Sequence, residues 1–252
     1  MTIDRDVPAP DTPGHALALF DLDGTLIRVG DRVHHAAFEH ATRVVLGEDL
    51  DITTLELAGA VDRRLFDQVA ERLGLASGTA EARFPDFVAT VGRYYAERVG
   101  PGDRAGWVLP GVPQLLDALR ARGIAVALAT GSIRTVAETK LVGAGLAGCF
   151  ATGAFGDEAR DRAELVRTAW DRACEHHGRS FPATNTVVIG DTPADIGAAR
   201  DTGTRVVAVA TGRFGVDELA AHGPDATFTD LADLDAVVQA IVATGHRPGR
   251  RQ

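Results

Sequence analysis

The sequence has very little lysine and very little cysteine. Lys140 is the only lysine, so a site that needs a cation must take an arginine or that one residue. The two cysteines, Cys149 and Cys174, lie far apart and in no CxxC spacing. This argues against a disulfide framework and against a structural zinc site, and it fits a reducing compartment.

Long apolar runs and dense positive charge are also missing. No uninterrupted apolar run reaches the length of about 18 residues that a membrane helix needs. The opening stretch MTIDRDVPAPDTPGH lacks the apolar segment of a signal peptide. The net charge is -9, and basic residues cluster only in the closing HRPGRRQ, which argues against a nucleic-acid partner. We therefore expect a cytoplasmic protein without a membrane partner.

Short apolar runs are present and recur along the chain. The 252 residues are 45% hydrophobic and 24% charged, as in folded globular proteins. Continuous runs at 16–20, 124–129, 186–190 and 205–210, with a weaker one at 226–228, predict strands buried on both faces. Helical periodicity fills most of the gaps, including a last stripe from Leu231 to Ile241. The alternation predicts an α/β fold with a Rossmann-like, doubly wound parallel sheet.

One long interval breaks the alternation. Residues 31–105 show helical periodicity and no buried strand, which predicts a small inserted α-helical cap domain. The α/β core would then consist of residues 16–30 and 106–245. The ends, 1–15 and 246–252, are predicted to be disordered because they offer little to pack.

Acidic and hydroxyl residues follow three of the predicted strands. The stretches are DLDGT after the first run, TGS after the second and GDTPAD after the third. In an open parallel sheet ligands bind outside the carboxyl ends of the strands, so we expect these side chains on one rim. Crowded carboxylates repel one another unless a cation neutralises them. Because every donor is oxygen, the cation expected is Mg²⁺, which commonly adds a substrate phosphate to its shell.

In this order and spacing, Asp21-Leu22-Asp23-Gly24-Thr25-Leu26, Thr130-Gly131-Ser132 and Gly190-Asp191-Thr192-Pro193-Ala194-Asp195 resemble the signature motifs of the haloacid dehalogenase-like superfamily. The resemblance runs from about residue 16 to 228 and is strongest to phosphoglycolate phosphatase-like members with a helical cap after the first motif. It implies a Mg²⁺-dependent phosphatase that hydrolyses a small phosphorylated metabolite.

The resemblance also implies a role for each motif residue. Asp21 would attack phosphorus and form an aspartyl-phosphate, and Asp23 would act as general acid and then general base. The Mg²⁺ ligands would be Asp21, the main-chain carbonyl of Asp23 and Asp191, with Asp195 close by or reaching the ion through water. The substrate's phosphoryl group would be bound by Gly24, Thr130, Gly131 and Ser132. Spacing supports the pair of acids, because residues two apart on an extended chain point the same way.

Members of this family usually supply a positive charge to the site with a lysine. In this sequence no lysine stands at an obviously matching position. By position the best match is Arg162 in GDEARDRAELV, whose planar guanidinium suits phosphate oxygens. Lys140 is a weaker candidate, and Arg160 is weaker still.

Two alternative functions stay open at this point. The first is a phosphomutase, in which the phosphoenzyme returns its phosphoryl group to a sugar. The second is a non-catalytic binding protein on the same scaffold.

Two other patterns have simpler interpretations. His34, His35 and His40 form no HExxH motif and are expected to be solvated helix residues. The stretch GAGLAG at 143–148 follows a helix instead of a strand, so it predicts a helix C-terminal turn and not a dinucleotide loop.

Overall fold

The computed structural model describes residues 16–243, so the predicted disordered ends, 1–15 and 246–252, lie outside the described residues. The strands are β1 (Leu17–Phe20), β2 (Ala125–Ala129), β3 (Gly153–Ala154), β4 (Thr186–Gly190), β5 (Arg205–Val209) and β6 (Ala226–Phe228). They pair in parallel in the order β3-β2-β1-β4-β5-β6. The chain therefore winds outward from β1 in one direction and then returns to wind outward in the other. The predicted doubly wound parallel sheet is confirmed.

Helices fill the intervals between the strands. They are α1 (Arg32–Ala41), α2 (Asp62–Arg72), α3 (Ser77–Ala96), α4 (Val112–Ala121), α5 (Arg134–Ala144), α6 (Arg162–His177), α7 (Pro193–Thr202), α8 (Val216–Ala221) and α9 (Leu234–Val242). Helix α5 ends at Gly145 in the left-handed conformation, with φ 74°. The stretch GAGLAG is thus a helix C-terminal turn, as predicted. Within residues 16–243 no helix combines the length and apolarity needed to cross a membrane.

The sheet separates two apolar cores. Ala18 and Phe20 of β1 pack on the side that holds α4, α5 and α9, whereas Leu17 and Leu19 pack on the side that holds α6, α7 and α8. Successive side chains of a strand point to opposite faces. A continuous apolar run such as that of β1 is therefore buried by helices on both sides.

Two details differ from the sequence-based expectation. Strand β3 was not predicted, because its two residues form no apolar run; it forms because Leu128 and Ala129 of β2 offer it a pairing edge. Leu231 was assigned to the last helical stripe, but α9 begins at Leu234, where the Asp233 side chain accepts a hydrogen bond from the Ala236 amide. Leu231 is nevertheless buried, as part of the segment before the helix.

Between β1 and β2 the helices α1, α2 and α3 form a third apolar cluster, which we call the helical block. Its centre includes the packed rings of Phe38, Phe66 and Phe87. Ile133 and Val136, at the start of α5, complete the cluster and join the block to the α/β part. The chain enters and leaves the block side by side, with the Arg28 amide 2.9 Å from the Trp107 carbonyl. The division of the chain into domains at 31 and 105 remains a prediction.

Burial in the two-sided sheet gives a direct prediction about stability. Val187→Ala, in β4 and 0% exposed, should lower the free energy of unfolding by about 2 kcal/mol, since it removes two methyl groups and leaves a cavity. Val44→Ala is the matched control at a residue that is 60% exposed, and it should change stability by less than about 0.5 kcal/mol. Chemical denaturation monitored by circular dichroism measures both values. Equal effects would contradict the assignment of β4 to the centre of the sheet.

Candidate active site

The site lies where three neighbouring strands end. Asp21 follows β1, Thr130 follows β2 and Asp191 follows β4, and all three are buried. These strands are adjacent in the order β2-β1-β4, so their carboxyl ends meet where the winding direction changes. This is the position at which open α/β sheets bind ligands. A cavity of about 200 Å³ opens there and is lined from both the rim of the sheet and the helical block.

Three buried carboxylates form a compact cluster at this rim. Asp21, Asp191 and Asp195 each place a carboxylate oxygen within 4.8 Å of the others. Burial, followed by repulsion from Asp21 and Asp195, raises the pKa of Asp191 from 3.8 to about 9. Burial also raises the pKa of Asp21 to about 7, with smaller contributions from Asp195 and Asp23. The cluster therefore holds more negative charge than the surrounding protein neutralises.

The cluster has the chemistry of a hard-cation site. Asp191 Oδ1 is buried and, among the residues that the structure describes, has no hydrogen-bond partner. Glycines enclose this carboxylate: a Cβ at Gly24, where φ is 94°, would lie 2.2 Å from Asp191 Oδ2, and one at Gly212 would lie 1.7 Å from it. Only oxygen donors converge here, which fits Mg²⁺ and not a soft metal. The residues present therefore fit the ion that the sequence predicts.

Arg162 is the cation of this cluster. It is the first residue of α6, a helix capped by Asp161, whose side chain accepts from the Glu164 amide at 2.7 Å. Arg162 Nη2 lies 2.6 Å from Asp21 Oδ1 and 2.7 Å from Asp195 Oδ1. Burial disfavours its charge, but the two carboxylates outweigh burial and raise the pKa of the guanidinium above its usual value. Even so, burial dominates at Asp21, whose pKa is raised despite this contact.

Asp195 is already bound on both of its oxygens. Oδ1 accepts from Arg162 Nε at 2.8 Å, and Oδ2 accepts from the Thr192 amide at 3.1 Å and from Thr192 Oγ1 at 2.7 Å. The contact with the Thr192 amide belongs to the capping box of α7, which fixes the carboxylate at the first turn of that helix. Asp195 is therefore less available to a ligand than Asp191.

Asp23 stands apart from this cluster and has its own cation. Lys140 Nζ lies 2.7 Å from Asp23 Oδ2, and Ser132 Oγ donates to the same oxygen at 3.1 Å. Although Lys140 lies within α5, it is 1% exposed, because its side chain reaches the rim. The site thus places Arg162 beside Asp21 and Lys140 beside Asp23. Arg160, in contrast, is 58% exposed and pairs with Asp67 and Glu81 away from the site.

The Thr130-Gly131-Ser132 turn joins the rim to the helical block. Ser132 donates its amide to Thr130 Oγ1 at 3.2 Å, which fixes the turn. Gly131 accepts at its carbonyl from the Asp62 amide, 2.8 Å away. A Cβ at Gly131 would lie 2.0 Å from the Ala60 carbonyl oxygen, so only glycine lets the block approach this closely.

Two side chains of the site were not found by sequence reasoning. His34 was expected to be solvated, but it is 14% exposed and its Nε2 lies 3.0 Å from Asp62 Oδ2; that expectation is wrong. Its Nδ1 lies 3.4 Å from Lys140 Nζ. Asp62 belongs to no motif, and its only signal is an acidic residue within the interval of helical periodicity at 31–105. Of the other histidines, His35 lines the cavity and His40 packs against Tyr94.

The fold and the rim together define a doubly wound α/β protein. At the switch point of its sheet it has a cluster of carboxylates suited to binding a cation. A family model described as haloacid dehalogenase-like hydrolase matches residues 15–203. The chain belongs to this family, as the resemblance of its motifs predicts.

Similar proteins cover most of the chain. It is 31% identical over 226 residues to a plasmid-borne phosphoglycolate phosphatase of Cupriavidus necator, covering 87% of this chain and 91% of that protein. It is also 31% identical over 229 residues to a phosphoglycolate phosphatase of Rhodospirillum rubrum, covering 86% and 88%. A solved β-phosphoglucomutase of Clostridium difficile superposes with a TM-score of 0.64 at 16% identity, covering 90% of this chain and 96% of that one. This last likeness concerns the fold alone.

The raised pKa values predict how pH acts on the metal-free protein. Since Asp21 and Asp191 bind protons more tightly when folded, their contribution to stability is full at low pH and is lost as pH rises from about 4 towards about 9. Asp191→Asn keeps nearly the same shape and removes a group whose protonation in the folded state costs more free energy as pH rises. In EDTA its melting temperature should exceed that of the wild type at pH 8, and the difference should grow between pH 5 and pH 8.5.

The matched control is Asp171→Asn, an exposed acid within α6. Its difference from the wild type should stay flat across the same pH interval in differential scanning calorimetry. A difference for Asp191→Asn that shrinks with rising pH would contradict the direction of its pKa shift.

Proposed function

We propose that this hydrolase is a Mg²⁺-dependent phosphatase that acts on a small phosphomonoester through an aspartyl-phosphate on Asp21. The observation that carries the proposal is the buried cluster of Asp21, Asp191 and Asp195 at the mouth of a cavity, with one Asp191 oxygen unpartnered among the described residues. The phosphatases among its relatives support a phosphate ester as substrate.

The cation would be held by Asp21, Asp191 and the main-chain carbonyl of Asp23, with Asp195 close by. When bound, Mg²⁺ would neutralise the crowded carboxylates and the charge of the phosphoryl group. As a Lewis acid it would also polarise that group. The surrounding glycines, Gly24 and Gly212, leave room for Asp191 to face the ion.

In the first step, the Asp21 carboxylate attacks phosphorus while the bond from phosphorus to the ester oxygen breaks. Asp23 gives its proton to that departing oxygen, so an alcohol leaves. In the second step, Asp23 takes a proton from water as the water attacks phosphorus of the aspartyl-phosphate. Inorganic phosphate leaves and Asp21 is regenerated. Two smaller displacements replace one difficult displacement, which is the benefit of covalent catalysis.

The remaining side chains of the rim would hold the phosphoryl group. Arg162, 2.6 Å from Asp21, supplies positive charge and a planar fork at the nucleophile. Thr130 and the backbone of Gly131 and Ser132 bind phosphoryl oxygens, while the Ser132 hydroxyl remains on Asp23. Gly24, with a φ of 94°, lets the chain turn directly after Asp23 and so close to Asp21.

The helical block would act as a cap that excludes bulk water and contacts the leaving group. The structure supports this role, because Phe38, Ile52 and Leu65 of the block line the same cavity as Asp21 and Asp191. A cavity of about 200 Å³ suits a small metabolite and not a macromolecule. Phosphoglycolate is a candidate substrate, since the relatives named above act on it.

The first test is Asp21→Asn, assayed on p-nitrophenyl phosphate with and without Mg²⁺. We expect wild-type turnover only with the ion, and less than about a hundredth of it in the variant, because an amide is a poor nucleophile towards phosphorus. Higher residual activity would contradict the role of Asp21. Absence of wild-type turnover on a broad panel of phosphate esters would favour a binding protein, and phosphoryl transfer to a sugar instead of to water would favour a phosphomutase.

The second test compares the two buried cations. Arg162→Ala should lower kcat/KM more than Lys140→Ala, since Arg162 touches the proposed nucleophile and Lys140 touches the proposed acid. Steady-state kinetics on one phosphomonoester, with circular dichroism of both variants as the check on folding, gives the order. The reverse order would assign the phosphate-binding charge to Lys140.

A further inference from the structure

Lys140 uses all three of its protons in a buried position. Its ammonium lies 2.7 Å from Asp23 Oδ2, 3.2 Å from Ser132 Oγ and 3.4 Å from His34 Nδ1. A lysine has three donors and no acceptor, so three acceptors are the most that it can satisfy. Two of these acceptors belong to the α/β part, and the third belongs to α1 of the helical block.

This arrangement fixes the tautomer of His34. Because lysine can only donate, Nδ1 of His34 must accept, and the ring proton must be on Nε2. Nε2 lies 3.0 Å from Asp62 Oδ2, which accepts that proton. The same Asp62 oxygen accepts from the Ile133 amide at 2.8 Å. A continuous chain of hydrogen bonds therefore runs from Asp62 through His34 and Lys140 to Asp23.

These hydrogen bonds connect the helical block with the α/β part of the molecule. His34 and Asp62 lie in α1 and α2, whereas Lys140 and Asp23 lie beyond the block. Asp62 is itself anchored to the rim, since its amide donates to the Gly131 carbonyl at 2.8 Å. If the block moved away, Lys140 would lose one acceptor and would no longer be held from that side.

Asp23, at the end of this row of hydrogen bonds, borders the space for the substrate. Lys140 and Ser132 both bind Oδ2 of Asp23. Asp23 also lines the cavity. Because both contacts are made to Oδ2, they restrict the orientation of a carboxyl group that borders the space where an ester would bind.

We infer that His34 and Asp62 are positioning residues that, through Lys140, hold Asp23 in the orientation for proton transfer when the helical block is docked on the rim. The inference rests on the proposed function, because it assigns a support to the general acid of that reaction. It also gives the only lysine of the chain a role distinct from that of Arg162.

The leaving group provides a test that a merely structural role would not pass. The test compares p-nitrophenyl phosphate with phenyl phosphate, two esters of similar shape. The p-nitrophenolate group leaves with little help from an acid, whereas phenolate needs a proton. His34→Phe keeps a ring but removes the acceptor for Lys140. We expect kcat/KM to fall about tenfold more for phenyl phosphate than for p-nitrophenyl phosphate, because misplacement of Asp23 weakens only the proton transfer.

Two variants serve as controls. His34→Gln keeps one acceptor and one donor and should bring the ratio of the two kcat/KM values most of the way back to the wild-type level. His40→Phe makes the same substitution on the same helix at a side chain that packs against Tyr94, and it should leave the ratio of the two kcat/KM values at the wild-type level. If His34→Phe does not fold, His34→Ala removes the same acceptor and is measured in its place.

The outcomes separate this inference from the function on which it rests. If Asp21→Asn is inactive but the His34 variant loses equal activity on both esters, the positioning role is wrong and the phosphatase proposal stands. If Asp21→Asn stays active, the proposed function fails first. A selective loss on phenyl phosphate, together with recovery in His34→Gln, supports the hydrogen-bond chain.

Discussion

The structure depends on the confinement of several carboxylates in one buried place. Asp21, Asp191 and Asp195 lie within 4.8 Å of one another, and burial makes their charges unfavourable. Isolated buried charge costs several kcal/mol per group unless it is paired or neutralised. Arg162 neutralises part of this charge. Asp191 nevertheless keeps a raised pKa and an oxygen without a partner among the described residues. The proposed Mg²⁺ would supply the positive charge that this rim lacks.

The two buried protein cations divide the acids between them. Arg162 spans Asp21 and Asp195 with its planar group, whereas Lys140 gives a point charge to Asp23. The difference suits the proposed chemistry. A nucleophile must stay ionised beside a multiply charged phosphoryl group, which a rigid guanidinium fork accommodates, and a proton donor must hold one orientation, which three satisfied ammonium protons provide.

The helical block contributes to the site as much as to the apolar core. Its Asp62 amide binds the Gly131 carbonyl, and its Ala60 carbonyl lies where any side chain at position 131 would have to be. Its His34 completes the environment of Lys140. Packing of the block on Ile133 and Val136 thus brings a hydrogen-bond network and the lining of the cavity into place together.

The sequence by itself determined the fold class, the family and the acidic rim, because strands buried on both faces leave continuous apolar runs and because the residues after such strands must share an edge. It also indicated Arg162 from its place before a helix. Only the tertiary structure decided that Lys140 reaches Asp23, that His34 is enclosed, and that Arg162 binds both Asp21 and Asp195. These contacts join residues that are up to 117 positions apart in the chain, such as Asp23 and Lys140. Local periodicity carries no information about such pairs, since they join elements that meet only when the chain has folded.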